Sequence, residues 1–182
     1  MKKKILGFLA LAVIIVVSFA SGLFSDLDEN PENGTGQPLQ EQTDQFPPSV
    51  KKAPDVSPEN MLDAILARYA GEVVLVDFWA TWCQPCLQAM EKLEPLKDSR
   101  FKNVKFVYVT DATSPKETWE QMVPGIHGDH YYLEGAGMDL ILGQLGSGGY
   151  PTYLVVDREG NRVRTFIGYQ GEKMLKLLDE AL

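Results

Sequence analysis

The apolar run Val73-Val74-Leu75-Val76-Asp77-Phe78-Trp79 leads through Ala80-Thr81 into Trp82-Cys83-Gln84-Pro85-Cys86, and these two cysteines are the only ones in the 182 residues. The run reads as a buried strand and the segment after it as the start of a helix. One cysteine then sits at the turn and the other one helical turn further on, placed to make and break a disulfide with little backbone movement. The spacing reads as a redox centre.

If the helix begins at the Cys83 end, its free N–H groups and positive dipole end favour a thiolate there, which is the nucleophilic form of the side chain. Cys83 is therefore the expected attacking sulfur. Cys86, one turn inside, is expected to be less exposed and to resolve the mixed disulfide that Cys83 forms with a partner. Pro85 falls in the first helical turn, where its missing N–H costs nothing because that donor has no partner within the helix.

Other uses of a cysteine pair fit less well. A zinc site normally takes four ligands, and the only histidines, His127 and His130, lie more than forty residues away. The stretch His127-Gly128-Asp129-His130 matches no ligand-spacing rule and reads as a solvated loop or strand edge, so no metal is expected. A bridge closing so short a loop removes little entropy from the unfolded chain, which argues against a purely structural disulfide.

The eleven residues Val76-Asp77-Phe78-Trp79-Ala80-Thr81-Trp82-Cys83-Gln84-Pro85-Cys86 closely resemble the active site of the thioredoxin superfamily, including the acid six residues before the first cysteine and the proline before the second. The resemblance implies a thioredoxin-like α/β fold, three layers (α/β/α) around a central mixed sheet. Asp77 also has a reading of its own. A carboxyl in an otherwise apolar strand should have a raised pKa, so it could take the Cys86 proton near neutral pH and return it. The family pattern gives the matching acid that role. Trp79 is expected in the core, and Trp82, beside Cys83, is expected to shape a substrate surface with Gln84 and Pro85.

Ser57-Pro58-Glu59 reads as a helix start, followed by Met61, Leu62, Ile65, Leu66 and Tyr69 at helical spacing. After the cysteines, Leu87, Met90, Leu93 and Leu96 mark one helical face, and Pro95 is expected to end or kink that helix. Residues 105–109 read as a second strand, so the order αβαβ implies a parallel pair. Residues 152–156 and 162–167, joined by Asp157-Arg158-Glu159-Gly160-Asn161, read as a β-hairpin, and residues 171–182 as a last helix. Thioredoxin folds have this series of elements, and the resemblance covers residues 58–182. Within it, Gly149-Tyr150-Pro151-Thr152 takes the place of the family's cis-proline loop. Pro151 is then expected to face the cysteines, and the Tyr150 backbone to pair with an extended substrate segment. Read alone, Tyr150-Pro151 is only a strand-entry turn.

Some forty residues separate Val109 from Tyr150, more than a minimal thioredoxin uses. Extracytoplasmic relatives of the TlpA/ResA-like type carry an added helix and strand there, before the cis-proline loop, and this chain is similar to them. Thr113-Ser114-Pro115-Lys116-Glu117 starts a helix carrying Trp119 and Met122, and residues 137–145 read as another. The insert is the natural place for partner selection. Two features depart from the family pattern. Glu91 stands where many relatives have proline, with Pro95 four residues later, and Gln84-Pro85 replaces the more usual Gly-Pro.

Lys2-Lys3-Lys4 precedes an uncharged run over residues 5–24, which reads as an export signal with the lysines on the cytoplasmic side. Ser18-Phe19-Ala20 offers a cleavage site, while the run is also long enough to stay as a membrane anchor; its continuation to Phe24 leans toward the anchor. No cysteine follows directly, which excludes a lipoprotein-type lipid attachment. Residues 25–57, rich in Pro, Gln, Asn, Asp, Glu and Gly, read as a flexible tether ahead of a folded domain at 58–182. All 25 acidic residues lie beyond Phe24 with 14 of the 17 basic ones, a net charge of −11 for that part. Such a surface repels nucleic acid, and no nucleic-acid partner is expected.

Chemistry and resemblance together imply an exported thiol–disulfide oxidoreductase in a periplasm-like space, soluble or anchored to the inner membrane, with no cofactor beyond its Cys83–Cys86 disulfide. The resemblance implies client proteins with disulfides or dithiols, including apocytochrome-type clients in cytochrome c maturation, and a membrane thiol reductase as electron donor. Reduction is favoured, because strong oxidants stabilise their thiolate heavily and Gln84-Pro85 supplies no charge. A disulfide oxidase or isomerase, and a non-catalytic binding module on the same fold, are the alternatives.

Overall fold

A computed structural model of the chain describes residues 49–135 and 137–182, and the expectations for residues 1–48 lie outside the described residues. Along the chain run β1 (Val50–Lys51), α1 (Met61–Leu66), β2 (Val73–Phe78), α2 (Gln84–Lys97), β3 (Val104–Asp111), α3 (Lys116–Met122), β4 (Asp129–Leu133), α4 (Gly137–Gln144), β5 (Thr152–Val156), β6 (Arg162–Ile167) and α5 (Glu172–Ala181). The strands form one six-stranded sheet in the order β1-β4-β3-β2-β5-β6. Pairing is parallel from β1 to β2 and antiparallel at β5 and β6. The mixed sheet with helices on both sides agrees with the expected fold.

β2 lies inside the sheet because all six of its residues are buried, which requires cover on both faces. Val73, Leu75 and Trp79 pack with Cys86, Ala89, Met90 and Leu93 of α2, Trp119 of α3, and Met174, Leu175 and Leu178 of α5. Val74, Val76 and Phe78 pack on the other side with Leu62 and Ile65 of α1 and Met138, Ile141 and Leu142 of α4. The two-residue alternation of a strand therefore assigns Asp77 to the α2 side, the side that holds both cysteines.

Two expectations are corrected. Residues 49–57, read as part of the tether, belong to the fold: Val50 and Lys51 pair with His130 and Tyr131, ahead of residue 58. A two-residue strand has no periodicity of its own, and β4 supplies its pairing. His130, read as solvated loop or strand edge, is fully buried on β4 between β1 and β3. Its ring stacks on Tyr108 with centroids 4.9 Å apart, and its Nε2 lies 2.9 Å from the Ile126 carbonyl. The helix α2 ends at Lys97, close to the Pro95 expected to end or kink it. Only two residues follow the proline, and the Lys97 ammonium pins that last turn by donating to Glu94 and to the His127 carbonyl, each at 2.6 Å.

Candidate active site

Cys83 is the N-cap of α2, with extended φ/ψ of −80° and 91°. Its carbonyl accepts from the amides of Cys86 and Leu87 at 3.0 and 3.2 Å, and its Sγ accepts the Cys86 amide at 3.3 Å. A cap side chain normally offers oxygen here. Sulfur takes that place, so the first cysteine meets the free amides and the positive end of the helix dipole. Cys83 and Cys86 are joined as a disulfide, with Cα atoms 5.3 Å apart. On reduction the same amide favours a thiolate on Cys83, whereas Cys86 is enclosed within the helix. Cys83 shows 3% of its surface and Cys86 none. Trp82, Gln84 and Pro85 form the exposed surface around them.

The segment between β3 and α3 holds the turn ahead of the cysteines. The Thr81 amide donates to Ser114 Oγ at 3.0 Å, and Ser114 Oγ shares a hydrogen bond with Thr110 Oγ1 at 2.8 Å. The Trp82 indole N–H donates to the Thr113 carbonyl at 3.1 Å, while Asp111 accepts from the Thr113 amide and hydroxyl at 3.1 and 2.6 Å. Thr110 carries no signal in the sequence, since a Thr at the end of a strand reads as a solvated loop residue, and Ser114 reads there only as part of a helix start.

Asp77 is 2% exposed, and neither of its carboxyl oxygens has a hydrogen-bond partner among the described residues. Burial drives its pKa well above the ordinary carboxylate range, against the pull of the Lys97 charge. Lys97 is itself buried, and its ammonium lies 4.9 Å from the centre of the Tyr108 ring. Burial lowers the Lys97 pKa, with Glu94 acting in the other direction. Sequence reasoning missed Lys97, because a lysine in the last turn of a helix is normally a solvated partner of the dipole.

The Tyr150–Pro151 peptide is cis. Thr152 Oγ1 donates to the Gly149 carbonyl at 2.7 Å, and the Pro151 carbonyl accepts the Gly168 amide at 2.8 Å. These bonds tie the loop to the hairpin. Tyr150 meets Trp82 edge-on with ring centroids 5.8 Å apart. Of the predicted site residues, Trp82, Cys83, Gln84, Pro85 and Cys86 share the entrance of α2, and Tyr150 is joined to them through that ring contact, with Pro151 next to it across the cis peptide. Asp77 shares the cysteines' side of the sheet without a direct hydrogen bond to either sulfur.

Among the described residues no group of three or more His, Cys, Asp and Glu is arranged to hold a metal ion. His127 instead sets its Nδ1 2.9 Å from Glu94. A cavity of about 660 Å³ lined by Val56, Met61, Trp119 and Tyr132, among others, contains none of the candidate residues.

A family model described as thioredoxin-like matches residues 71–162. A thioredoxin of Listeria monocytogenes serovar 1/2a is 27% identical over 118 residues, spanning 64% of this chain and 90% of the relative. The thiol-disulfide oxidoreductase ResA of Bacillus thuringiensis is 26% identical over 106 residues, 58% of this chain and 61% of the relative. Among solved structures, a candidate thioredoxin from Neisseria meningitidis superposes with a TM-score of 0.53 at 28% identity, over 63% of this chain and 77% of that one.

Proposed function

This chain belongs to the thioredoxin-like family, and on that premise we propose that it is an exported thiol–disulfide oxidoreductase that reduces disulfides of extracytoplasmic client proteins. The observation that carries this reading is the Cys83 sulfur standing as the cap of α2, on the Cys86 amide.

The Cys83 thiolate attacks one sulfur of a client disulfide, forming a mixed disulfide and releasing the client's other sulfur, which takes a proton from solvent. Cys86 loses its proton to the Asp77 carboxylate across a bridging water, the acid having no direct bond to either sulfur. Its sulfur then attacks Cys83 Sγ. That attack breaks the bond between Cys83 and the client, whose second sulfur leaves as a thiolate and takes up, by way of solvent, the proton that Asp77 gives back; the client is then a dithiol, two electrons and two protons richer, and the Cys83–Cys86 disulfide remains. A dithiol donor, which the family resemblance suggests is a membrane thiol reductase, returns the pair to the reduced state.

Trp82, Gln84 and Pro85, with the Tyr150–Pro151 loop, form the surface that meets the client, an apocytochrome-type chain being one candidate. Residues 1–24 supply export, as a cleaved signal or a retained anchor, and the tether after them gives reach. No helix among the described residues is long and apolar enough to cross a membrane.

The test is a trap in the cell envelope. With the native N-terminus kept, Cys86→Ala should accumulate mixed disulfides with envelope proteins and Cys83→Ala should accumulate none. A redox titration of the pair then settles direction. A potential as high as roughly −120 mV, typical of a strong dithiol oxidant, would assign oxidation instead.

A further inference from the structure

Asp77 pairs in register with Tyr108 on β3 and with Tyr153 on β5. Neighbouring strands lie about 4.8 Å apart and in-register side chains share a face, so the three form one cross-strand row on the α2 side of the sheet. Tyr108 and Tyr153 are 1% and 0% exposed. Both hydroxyls, like both Asp77 oxygens, lack a hydrogen-bond partner among the described residues.

Four unpartnered oxygens in a row of three residues run against the rule that buried polar groups are paired, since a buried oxygen left without a partner destabilises the fold. A buried water commonly serves two to four such groups at once. Burial, and after it the Asp77 charge, raises the pKa of both tyrosines. They therefore stay protonated and able to donate. Packing alone has no need of the hydroxyls, since Phe would fill either ring position.

We propose that Tyr108 and Tyr153 are positioning residues for Asp77, their hydroxyls donating through a shared buried water to its carboxylate and so setting how readily it takes and returns the Cys86 proton. The last clause rests on the reading of Asp77 as the acceptor of that proton. The titratable groups of the elements packed on this side are Lys97 of α2, whose charge acts on Asp77, with Cys83, Cys86 and Glu94 around the same helix, Tyr108 of β3 with His130 of β4 stacked on it, and Tyr153 of β5 with Tyr169 against it. The α5 residues packed on this side, Met174, Leu175 and Leu178, are apolar. Lys97 and the two hydroxyls all favour the ionised carboxylate, against its burial.

Tyr108→Phe and Tyr153→Phe each remove one hydroxyl and keep the ring contacts with His130 and Tyr169, and either variant decides alone. In carbon-13 NMR of the reduced protein, with the Asp77 carboxyl assigned by its loss in Asp77→Asn, each should move the Asp77 titration midpoint up by about half a pH unit or more. An unmoved or lowered midpoint overturns the proposal. This titration needs no turnover, so it is independent of the catalytic reading. The pH–rate profile of the Cys86 resolving step tests that reading separately: it should shift upward with the carboxyl. A moved carboxyl with an unmoved rate profile leaves the tyrosines in place and removes Asp77 from the exchange with Cys86.

Discussion

The ring of Trp82 stands edge-on to that of Tyr150, centroids 5.8 Å apart, so the residue ahead of the first cysteine and the residue ahead of the cis proline make one continuous aromatic surface. Trp82 is 58% exposed, yet its indole N–H is held by the Thr113 carbonyl. A half-exposed tryptophan fixed at its polar end offers a large contact area with little left to order on binding.

Replacing Trp82 with alanine should therefore lower kcat/KM for a protein disulfide such as insulin by about tenfold, the equivalent of about 1.4 kcal/mol of contact. Reduction of a small aromatic disulfide, which does not span this surface, should fall by much less. Equal losses on the two substrates would show that Trp82 acts on the cysteines rather than on the client.

Asp77→Asn should stabilise the oxidised protein, and by an amount that grows with pH. Burial raises the folded pKa of Asp77 above its unfolded value. The folded state then binds the proton more tightly, and wild-type stability falls as pH rises from about 4 toward the raised folded value. The amide has no such dependence. Melting temperatures at pH 4, 6 and 8 should show a gain that is small at the acid end and several degrees at pH 8, and a gain independent of pH would contradict the assignment.

Lys97→Met should push the Asp77 pKa higher still, because the Lys97 charge opposes the burial that raises it. In a Cys83→Ala background, the pH at which Cys86 becomes reactive to an alkylating reagent should then move upward. A downward shift would mean that the ammonium does not act on the carboxyl.

Gly128 has φ +148°, and a Cβ on it would lie 2.7 Å from the Phe106 carbonyl oxygen and 2.7 Å from Tyr108 Cε2. One obstacle is strand backbone and the other a ring stacked on His130, so neither yields easily. Gly128→Ala should destabilise by about 1–3 kcal/mol in urea unfolding, and an unchanged midpoint would show that the turn before β4 can shift.

Much of this was legible in the sequence where a pattern is local. The run 73–79 announces β2 because a strand covered on both faces must be apolar throughout, and the hairpin 152–167 appears at its structural bounds because turn residues separate two β-rich runs. The cysteine spacing marks the start of α2 for the same reason. What escaped depends on contacts distant in sequence. Val50 and Lys51 become a strand only because β4 pairs with them, and Lys97 is buried only because the His127 carbonyl and the Tyr108 ring come to it from β3 and the turn before β4. Tyr108 and Tyr153 read as ordinary strand aromatics until the register sets them on either side of Asp77.

The difference between the two sulfurs is open to direct measurement in the reduced protein, by iodoacetamide alkylation followed site by site with mass spectrometry from pH 4 to 10. Cys83, capped by the Cys86 amide, should react with a midpoint well below the pKa of about 8.5 of a free cysteine, while Cys86 stays slow until higher pH. Equal rates at the two sites, with both midpoints at or above about 8.5, would contradict a helix-stabilised nucleophile at Cys83.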